Sequence, residues 1–567
     1  MRLLFEAAMG IGQTLDVVRT AEELAEATVP RFADLVTVDM PEPVLRGGEG
    51  TGEPGADLRR VVTRDIEEMP ASTGPRRQQG RQVRYPSSSA QARCLAEGGP
   101  VPAPEPEAGI RSLIAAPLST HGGIFGVVTF MRRSTSFEDD DLALAEELST
   151  RTAVCIDNAR RFVRERAMAL ALRRAMLPRS LPEQNAVEVA YRYLPAQQAI
   201  SGDWFDVIPL SGGRVALVVG DVAGSGLYAA AAMGRLRTAI SNFSALDLAP
   251  EEILGQLDDL VRRLACEQAD RADDDATGSL GIAAENLMTD GAGDPVTGTT
   301  CLYAVYDPAG GQCTLASAGH PPPAVVHPDG SVEFPHKSAG PPLGLPPGLG
   351  GPPFETAEVR LPEGSKLVLY TDGLLADDPD DPRPGMERLR AALGSCGRSA
   401  EEACASALTV LPPGRRSDDV VLLVARTRAL PADHVACWDL SVDPAAVSRV
   451  RTEVARRLSA WNLDELGFTT ELIFSELVTN AIRYGSEPIS ARLLLDRKLI
   501  CEVSDASETS PRPRRAAITD EGGRGLFLVA QLAERWGTRY TQRGKIIWAE
   551  QFLEGEPAGQ LQAHEKP

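Results

Sequence analysis

Apolar positions alternate between helical and strand-like spacing along the chain. Residues 1–40 carry a helical period. Two apolar runs at 111–118 and 123–131 have the length of sheet strands, and the turn His121-Gly122-Gly123 lies between them, which predicts a strand pair. A helix is then predicted from about 139 to 177, where Leu177-Pro178 ends it. Between these patterns, residues 41–108 are rich in Gly, Pro, Arg and Ser and predict loops around one or two weak strands.

Short apolar runs dominate the middle of the chain. Strands are predicted at 187–193, 215–219, 300–307, 313–318, 366–370 and 420–425, and helices at about 228–243, 250–265 and 386–408. After Pro431 the pattern predicts helices at about 444–461, 467–484 and 526–535, and strands at 499–505 and 545–550. The predicted fold class is therefore α+β and multidomain, with sheets covered by helices.

Composition narrows the class of protein. With 567 residues the chain is too long for one hydrophobic core. Its net charge of -21 argues against a general binder of nucleic acid or of anionic membranes. The apolar runs are too short for a transmembrane helix, and an acid at position 6 argues against a secretory signal. Nine scattered cysteines without a Cys-x-x-Cys pair predict reduced thiols and a cytoplasmic location.

Four aspartates stand beside strand-like apolar runs in the middle of the chain. They are Asp203, Asp221, Asp372 and Asp418. One such motif alone is better explained as a turn, because Asp-Gly pairs favour turns. Together, four carboxylates at strand ends could converge on two hard divalent cations, which prefer oxygen ligands. The pattern therefore favours a metal-dependent hydrolase.

The sequence motifs around these aspartates resemble those of a known protein family. They are Ser201-Gly-Asp-Trp-Phe-Asp, Gly220-Asp-Val-Ala-Gly-Ser-Gly, Ser317-Ala-Gly-His-Pro-Pro-Pro, Pro342-Leu-Gly-Leu, Tyr370-Thr-Asp-Gly-Leu and Ser417-Asp-Asp-Val-Val-Leu-Leu. In this order they resemble the SpoIIE/RsbU-type branch of the metal-dependent PPM Ser/Thr phosphatases. The resemblance implies a β-sandwich flanked by helices over residues 183–428. His320 in Ala-Gly-His-Pro is interpreted as a structural turn residue, with a catalytic role as the alternative.

The same resemblance implies a ligand set for two Mn2+ or Mg2+ ions. Asp221 would bridge the ions, and Asp203, the backbone carbonyl of Val222, Asp372 and Asp418 would complete the protein ligands. Asp419 is the alternative to Asp418. A water made more acidic by the cations would attack phosphorus in line, without a phosphoenzyme.

A second constellation lies near the end of the chain. Glu476 and Asn480 share one helix face at i, i+4 spacing, Asp505 ends a strand, and Gly522-Gly-Arg-Gly525 opens a helix. Glycines at a helix start can hold phosphate through backbone N–H groups. An amphipathic helix with exposed polar residues is the alternative explanation for the first pair.

In order, these signatures resemble the GHKL ATPases, in particular the RsbW-like anti-sigma Ser/Thr kinases. The resemblance implies an α/β sandwich over 431–552 that binds Mg-ATP. Asn480 would bind the Mg2+ ion, Asp505 would take the adenine amino group, and Glu476 would be the catalytic base. Gly523 and Gly525 would form the phosphate lid. The Asp-x-Gly-x-Gly of many relatives is replaced here by Asp505-Ala-Ser-Glu-Thr, which bears on the lid and on phosphotransfer.

The front of the chain resembles a GAF sensor domain over residues 1–152. The matching words are Ile11-Gly-Gln-Thr-Leu-Asp-Val, Arg111-Ser-Leu-Ile-Ala-Ala-Pro-Leu, Gly126-Val-Val-Thr-Phe and Phe137-Glu-Asp-Asp-Asp. A helical linker is expected at 153–182 and a flexible tail at 553–567. We hypothesise that the front domain transmits its state through the helix at 139–177 to Asp221.

Taken together, the sequence predicts a partner-switching regulator in bacterial signalling. It would dephosphorylate a phosphorylated anti-sigma-factor antagonist and carry an anti-sigma or kinase module acting on the same system, with a sigma factor as a further partner. A homodimer is expected, with no nucleic acid and no membrane as partners. Two alternatives stay open: a scaffold with a non-catalytic ATP-binding domain, and a small-molecule phosphatase.

Overall fold

The structure is a computed structural model of the 567-residue chain. It describes residues 10–49, 57–66, 80–107, 109–121, 123–176, 178, 180–196, 202–224, 226–277, 296–335, 340–345, 354–375, 382–411, 418–509 and 525–553. The chain divides into two compact units, one ending at Ala171 and the other beginning at Leu172. Each unit is described separately.

The first unit is built on one antiparallel sheet of six strands. The strands are β1 (Leu35–Pro41), β2 (Leu58–Asp65), β3 (Gln82–Val83), β4 (Val101–Glu107), β5 (Ile110–Thr120) and β6 (Gly123–Arg132), in the order β3-β2-β1-β6-β5-β4. The helices are α1 (Val17–Thr28), α2 (Glu42–Leu45), α3 (Ala90–Glu97) and α4 (Asp139–Met176), and α4 continues into the second unit. Leu24 of α1 and Leu148 of α4 share a core with Val38 and Phe130 of the sheet.

Two five-stranded antiparallel sheets form the first part of the second unit. Their strands are β7 (Val187–Leu194), β8 (Trp204–Pro209), β9 (Val215–Asp221), β10 (Thr300–Asp307), β11 (Gln312–Ala318), β12 (Ala324–Val326), β13 (Val332–Glu333), β14 (Thr356–Arg360), β15 (Lys366–Tyr370) and β16 (Val420–Thr427). The first sheet has the order β14-β11-β10-β9-β8, and the second has the order β13-β12-β15-β16-β7. We call this part the double-sheet region.

The double-sheet region is layered as helices, sheet, sheet, helices. Successive residues of a strand face opposite sides, so Leu217 and Val219 of β9 enter the core between the sheets with Leu369 of β15. Val218 instead packs against Met233 on the helical side. The helices on that side are α5 (Gly226–Ala245) and α6 (Pro250–Thr277), and α7 (Arg383–Gly394) and α8 (Ala400–Leu408) cover the second sheet.

A single five-stranded sheet completes the second unit, and we call it the C-terminal region. Its strands are β17 (Val435–Leu440), β18 (Ile489–Leu495), β19 (Lys498–Asp505), β20 (Arg535–Thr541) and β21 (Gly544–Phe552), in the order β17-β18-β19-β21-β20. Its helices are α9 (Ala445–Ala460), α10 (Gly467–Tyr484) and α11 (Gly525–Leu532). They cover one face, where Phe474 and Leu477 of α10 pack with Val503 and Ile547.

The other face of this sheet carries a buried ionic cluster that contacts the double-sheet region. Glu502 forms ion pairs with Arg492 at 2.6 Å and with Arg539 at 2.7 Å. Arg492 also pairs with Asp307 at 3.4 Å, and Arg539 donates to the hydroxyl of Ser211 at 3.3 Å. Burial opposes ionisation of Glu502, but the surrounding arginines outweigh it and lower the pKa of Glu502 to about 2.

The predicted fold class is confirmed, because the described residues are α+β and form several antiparallel sheets with helices. Several local predictions were wrong. The helix predicted at about 386–408 is two helices, Arg383–Gly394 and Ala400–Leu408, because Ser399 forms a capping box that starts the second one. The segment 41–108, predicted as loops around one or two weak strands, also contains the helix Ala90–Glu97 and the strand Val101–Glu107.

Leu35–Pro41 is a buried strand inside the segment predicted as helical, since its side chains are covered on both faces of the sheet. The helix that begins at Pro250 continues to Thr277, past the end predicted at about 265, because the added stretch holds good helix formers such as Ala, Glu and Gln.

None of the helices among the residues described above combines the length and the apolar character needed to cross a membrane.

Candidate active sites

Asp203 and Asp221 come together at one end of the first sheet. Trp204 pairs with Gly220 across β8 and β9, so the next cross-strand positions are 203 and 221. The amide of Val222 donates to the carbonyl of Gly202 at 3.3 Å and continues this pairing beyond the strands. Asp203 is almost fully buried, whereas Asp221 is half-buried. The structure therefore brings the first two predicted metal ligands side by side, with Val222 next to them.

Asp372 and Asp418 lie near one end of the second sheet, two residues out of cross-strand register with each other. Tyr370 of β15 pairs with Leu422 of β16, and Asp372 and Asp418 lie just beyond these strands. A Cβ at Gly373 would collide with the carbonyl oxygen of Asp419, so glycine permits the close approach of the two segments. Asp372 is exposed and Asp418 is half-buried.

Asp419, the alternative ligand, has a different environment. It is fully buried, and its two carboxylate oxygens accept hydrogen bonds from the hydroxyl of Tyr193 and from the amide of Ala196. These contacts tie the segment around Tyr193 and Ala196 to the start of β16. The geometry favours a structural role for Asp419 and leaves Asp418 as the better candidate for a metal ligand.

His320 connects the two sheets between the two acidic pairs. Its Nε2 donates to the carbonyl of Tyr370 at 3.1 Å, so its Nδ1 must accept from the hydroxyl of Thr300 at 2.8 Å. Thr300 is the cross-strand partner of Asp221, and Tyr370 lies two residues before Asp372. Burial lowers the pKa of His320 to about 4, which keeps the ring neutral in this bridge. One imidazole therefore sets the spacing between the sheet ends that carry the acids.

The donor set suits hard divalent cations. Carboxylates and one backbone carbonyl are the ligands that Mg2+ and Mn2+ prefer, and a carboxylate as buried as that of Asp203 is costly without a nearby positive charge. Within the described ranges, no three His, Cys, Asp or Glu side chains are gathered closely enough to hold a metal ion. Carboxylates repel one another unless cations lie between them. The assignment of two metals to these residues therefore stays a prediction.

The helix that follows Asp221 contacts the last residues of α4. Arg237 of α5 donates to the carbonyl of Met176 and pairs with Asp206 at 2.7 Å. A Cβ at Gly234 would collide with the sulfur of Met176. The end of α4 that belongs to the second unit is thus held against the helix that begins five residues after Asp221.

The predicted nucleotide-binding residues surround α10 in the C-terminal region. Glu476 and Asn480 are half-buried on this helix, and a Cβ at Gly525 would collide with Oε2 of Glu476. Asp505 lies at the C-terminal end of the helix, where a Cβ at Gly485 would come within 2.6 Å of its Cγ. The structure therefore brings Glu476 next to Gly525 and Asp505 next to the end of α10. Gly523 lies outside the described residues.

Family models match three successive segments of the chain. The GAF domain model matches residues 17–156, the model of stage II sporulation protein E (SpoIIE) matches 211–428, and the histidine kinase-like ATPase domain model matches 440–550.

The chain carries a GAF domain, a SpoIIE-type PPM phosphatase domain and a histidine kinase-like ATPase domain, in that order.

This order confirms the resemblances drawn from the sequence. The double-sheet region is the phosphatase domain, whose family is metal-dependent, and the C-terminal region is the ATPase domain, whose family binds ATP.

Individual relatives cover parts of the chain. Protein IcfG of Synechocystis sp. is 26% identical over 218 residues, which is 38% of this chain and 33% of that protein, so the chain spans about a third of the length of this curated relative. The RsbU and RsbW domains of Rv1364c from Mycobacterium tuberculosis are 25% identical, with a TM-score of 0.35, over 66% of this chain and 97% of that chain. The SpoIIE phosphatase domain from Bacillus subtilis is 16% identical, with a TM-score of 0.30, over 43% and 94%.

Sequence reasoning missed two features of these sites. It treated His320 as a turn residue, although the ring bridges the two sheets of the phosphatase domain. It gave no role to Lys545, whose ammonium group lies 3.0 Å from Oδ1 of Asp505 in the ATPase domain. The sequence indicated either role only weakly. His320 stands in an Ala-Gly-His-Pro motif, and Lys545 stands at the start of an apolar strand.

Proposed function

We propose that the protein is a metal-dependent protein Ser/Thr phosphatase that dephosphorylates a phosphorylated anti-sigma-factor antagonist in the bacterial cytoplasm. The observation that carries this proposal is the placement of two acidic pairs, Asp203 with Asp221 and Asp372 with Asp418, at sheet ends joined by His320 in a SpoIIE-type domain. The ATPase domain that follows supports a partner-switching role, because the opposing reaction of such a switch needs ATP.

The proposed site residues of the phosphatase domain have two roles, metal binding and positioning of the metal ligands. Asp203, Asp221, Asp372, Asp418 and the carbonyl of Val222 would hold two Mn2+ or Mg2+ ions. When bound, these ions supply Lewis-acid chemistry, since they make a water more acidic and neutralise phosphoryl charge. Asp419 and His320 would position the ligands, the first through Tyr193 and Ala196 and the second through Thr300 and Tyr370.

The proposal is tested by phosphate release from a phosphoserine-containing antagonist protein and from an aryl phosphate. We expect Mn2+-dependent release from both substrates, and loss of both activities in Asp221→Ala and Asp372→Ala. Asp259→Ala, which removes an exposed acid of α6 in the same domain, is the matched control and should keep the activity. Full activity in the two site variants would refute the metal assignment.

The same assay separates the alternatives. A small-molecule phosphatase would release phosphate from the aryl substrate and leave the phosphoprotein intact. A scaffold with degenerate modules would act on neither substrate. Hydrolysis of the phosphoprotein with the higher kcat/KM is the result that the proposal requires.

For the ATPase domain we propose that Mg-ATP binds between Asn480 and Asp505. Glu476 would act as a catalytic base if the domain phosphorylates the antagonist, and its contact with Gly525 places it at the start of α11. We expect Mg-ATP binding to be lost in Asn480→Ala, and phosphate transfer from ATP to the antagonist to be lost in Glu476→Gln. The exposed Glu465→Gln is the matched control for the second variant. Equal ATP affinity in the unchanged chain and in Asn480→Ala would count against the site.

We also propose that the end of α4 regulates the phosphatase through α5. Arg237 supports this role because it joins the carbonyl of Met176 to Asp206. In the full chain, Arg237→Ala should change the phosphatase rate, whereas Arg235→Ala, on an exposed side of the same helix, should not. Equal rates in both variants and in the unchanged chain would defeat the idea.

A further inference from the structure

A buried lysine faces the carboxylate that the ATPase domain offers to the nucleotide base. Lys545 lies on β21 directly across from Asp505 on β19. Its Nζ is 3.0 Å from Oδ1 of Asp505, and the two side chains are 4% and 1% exposed. The ammonium group also donates to the carbonyl and to the hydroxyl of Ser507. Such a pair is removed from solvent, so its geometry is not the result of two flexible surface side chains meeting.

The contacts of Lys545 orient the carboxylate. Oδ1 of Asp505 accepts from Lys545 and, at 2.9 Å, from the amide of Ser507. Because Oδ1 of Asp505 already accepts from two donors, Oδ2 is the oxygen oriented to accept from a further ligand. The carboxylate lies against Gly485 at the end of α10, five residues after Asn480. It is therefore directed to the part of the domain where the nucleotide is proposed to bind.

The hydrogen bond from Lys545 to Asp505 bears on which nucleotide base the site accepts. An ionised carboxylate only accepts hydrogen bonds, whereas a protonated one also donates. Lys545 and the amide of Ser507 both donate to Asp505, so they hold its carboxylate as an acceptor. An ionised carboxylate attracts an exocyclic amino group, as in adenine, and repels a carbonyl oxygen at the same position, as in guanine.

We infer that Lys545 is a positioning residue of the nucleotide site, and that it makes the site selective for adenine over guanine by holding the Asp505 carboxylate in the orientation of a hydrogen-bond acceptor for the base. This inference rests on the proposed binding of ATP at Asp505. Lys545 does not touch the nucleotide in this account. It acts on the base only through the orientation of the Asp505 carboxylate.

The test measures the affinity of the full chain for fluorescent ATP and fluorescent GTP analogues in the presence of Mg2+. In Lys545→Met, affinity for the ATP analogue should fall about tenfold or more, because the adenine amino group loses its hydrogen bond to a correctly oriented Asp505 carboxylate. The weak affinity for the GTP analogue should stay the same or rise. Lys545→Arg keeps the charge and should retain most of the preference for ATP. The control is Lys498→Met, which removes a lysine of the same sheet that pairs with Glu534 and Glu550.

The ratio of the two affinities distinguishes positioning from general structural support. A merely structural role would weaken both nucleotides together, and that result in folded Lys545→Met would overturn the inference. If Lys545→Met does not fold, loss of the preference for ATP in folded Lys545→Arg would overturn it as well. If the unchanged chain binds neither analogue, the proposed ATP site itself fails. If it binds ATP and every lysine variant keeps the same ratio, only the role of Lys545 fails.

Discussion

His320 donates a hydrogen bond from Nε2 to the backbone carbonyl of Tyr370 at 3.1 Å, across the gap between the two sheets of the phosphatase domain. The acceptor lies two residues before Asp372. On its other side the ring accepts from Thr300, which is paired with Asp221. The neutral side chain of His320 therefore joins the two halves of the proposed metal site.

Removing this bridge should separate the two acidic pairs. We expect His320→Ala to lower metal-dependent kcat/KM by about tenfold or more, and the free energy of unfolding by about 1–3 kcal/mol for each buried polar group left without its partner. ATP binding should be unchanged. Phosphatase assays across a Mn2+ titration, with chemical denaturation, check this result. His327→Ala, a more exposed histidine of the same domain, is the control, and equal kinetics in both variants would contradict the prediction.

The same ring should make stability depend on pH. An unfolded histidine has a pKa of about 6.5, whereas burial lowers the pKa of His320 to about 4 in the folded chain. Between these values the unfolded state binds more protons, so the free energy of unfolding falls as pH falls, by up to about 3 kcal/mol for the full shift. The difference in unfolding free energy between the unchanged chain and His320→Ala should therefore shrink from pH 7 to pH 4. Parallel curves would show that His320 does not titrate in this way.

Asp418 and Asp419 should respond differently to the same substitution. Asp418→Asn should abolish metal-dependent hydrolysis with little change in stability, because its side chain is half-buried at the site. Asp419→Asn should lower the free energy of unfolding by about 1–3 kcal/mol, since a buried acceptor of two hydrogen bonds becomes partly a donor. Activity and thermal unfolding of both variants decide the matter. The reverse pattern would make Asp419 the ligand.

Strands with long apolar runs could be predicted from the sequence. Val215–Asp221 and Val420–Thr427 are buried along nearly their whole length, so their composition alone indicates a strand inside a covered sheet. Strands Val435–Leu440 and Arg535–Thr541 were missed; both are edge strands, and the second carries several polar residues. Their conformation depends on hydrogen bonds from neighbouring strands, which no local pattern records.

The candidate sites were predictable in their residues and not in their supports. Asp203, Asp221, Asp372 and Asp418 could be named because each stands in a recognisable word beside a strand. Their arrangement in pairs depends on cross-strand register. The contacts made by His320 and Lys545 join segments 20 to 50 residues apart in the chain, so only the folded structure reveals them.

The ionic cluster between the phosphatase and ATPase domains should support the stability of both. Glu502→Gln removes the negative charge that lies between Arg492 and Arg539 and should lower the free energy of unfolding by about 3 kcal/mol or more. The exposed Glu453→Gln should change it by less than about 1 kcal/mol.

The pH dependence of this effect has a definite sign. Because the pKa of Glu502 is lowered to about 2, its stabilising contribution is present above the ordinary glutamate range and is lost as pH falls through about 2. Chemical denaturation at neutral and acidic pH measures the free energy of unfolding and its pH dependence. Limited proteolysis at 428–434 monitors the connection between the two domains. Unchanged stability in Glu502→Gln at neutral pH would show that the cluster contributes nothing.

The central claim is that two acidic pairs on two different sheets form one site for two cations. Calorimetric titration of the full chain with Mn2+ in the absence of nucleotide tests it most directly. The unchanged chain and Asp259→Ala should bind about two ions, and Asp221→Ala on the first sheet and Asp372→Ala on the second should each lose this binding. Undiminished Mn2+ binding in both of the latter variants would contradict the claim.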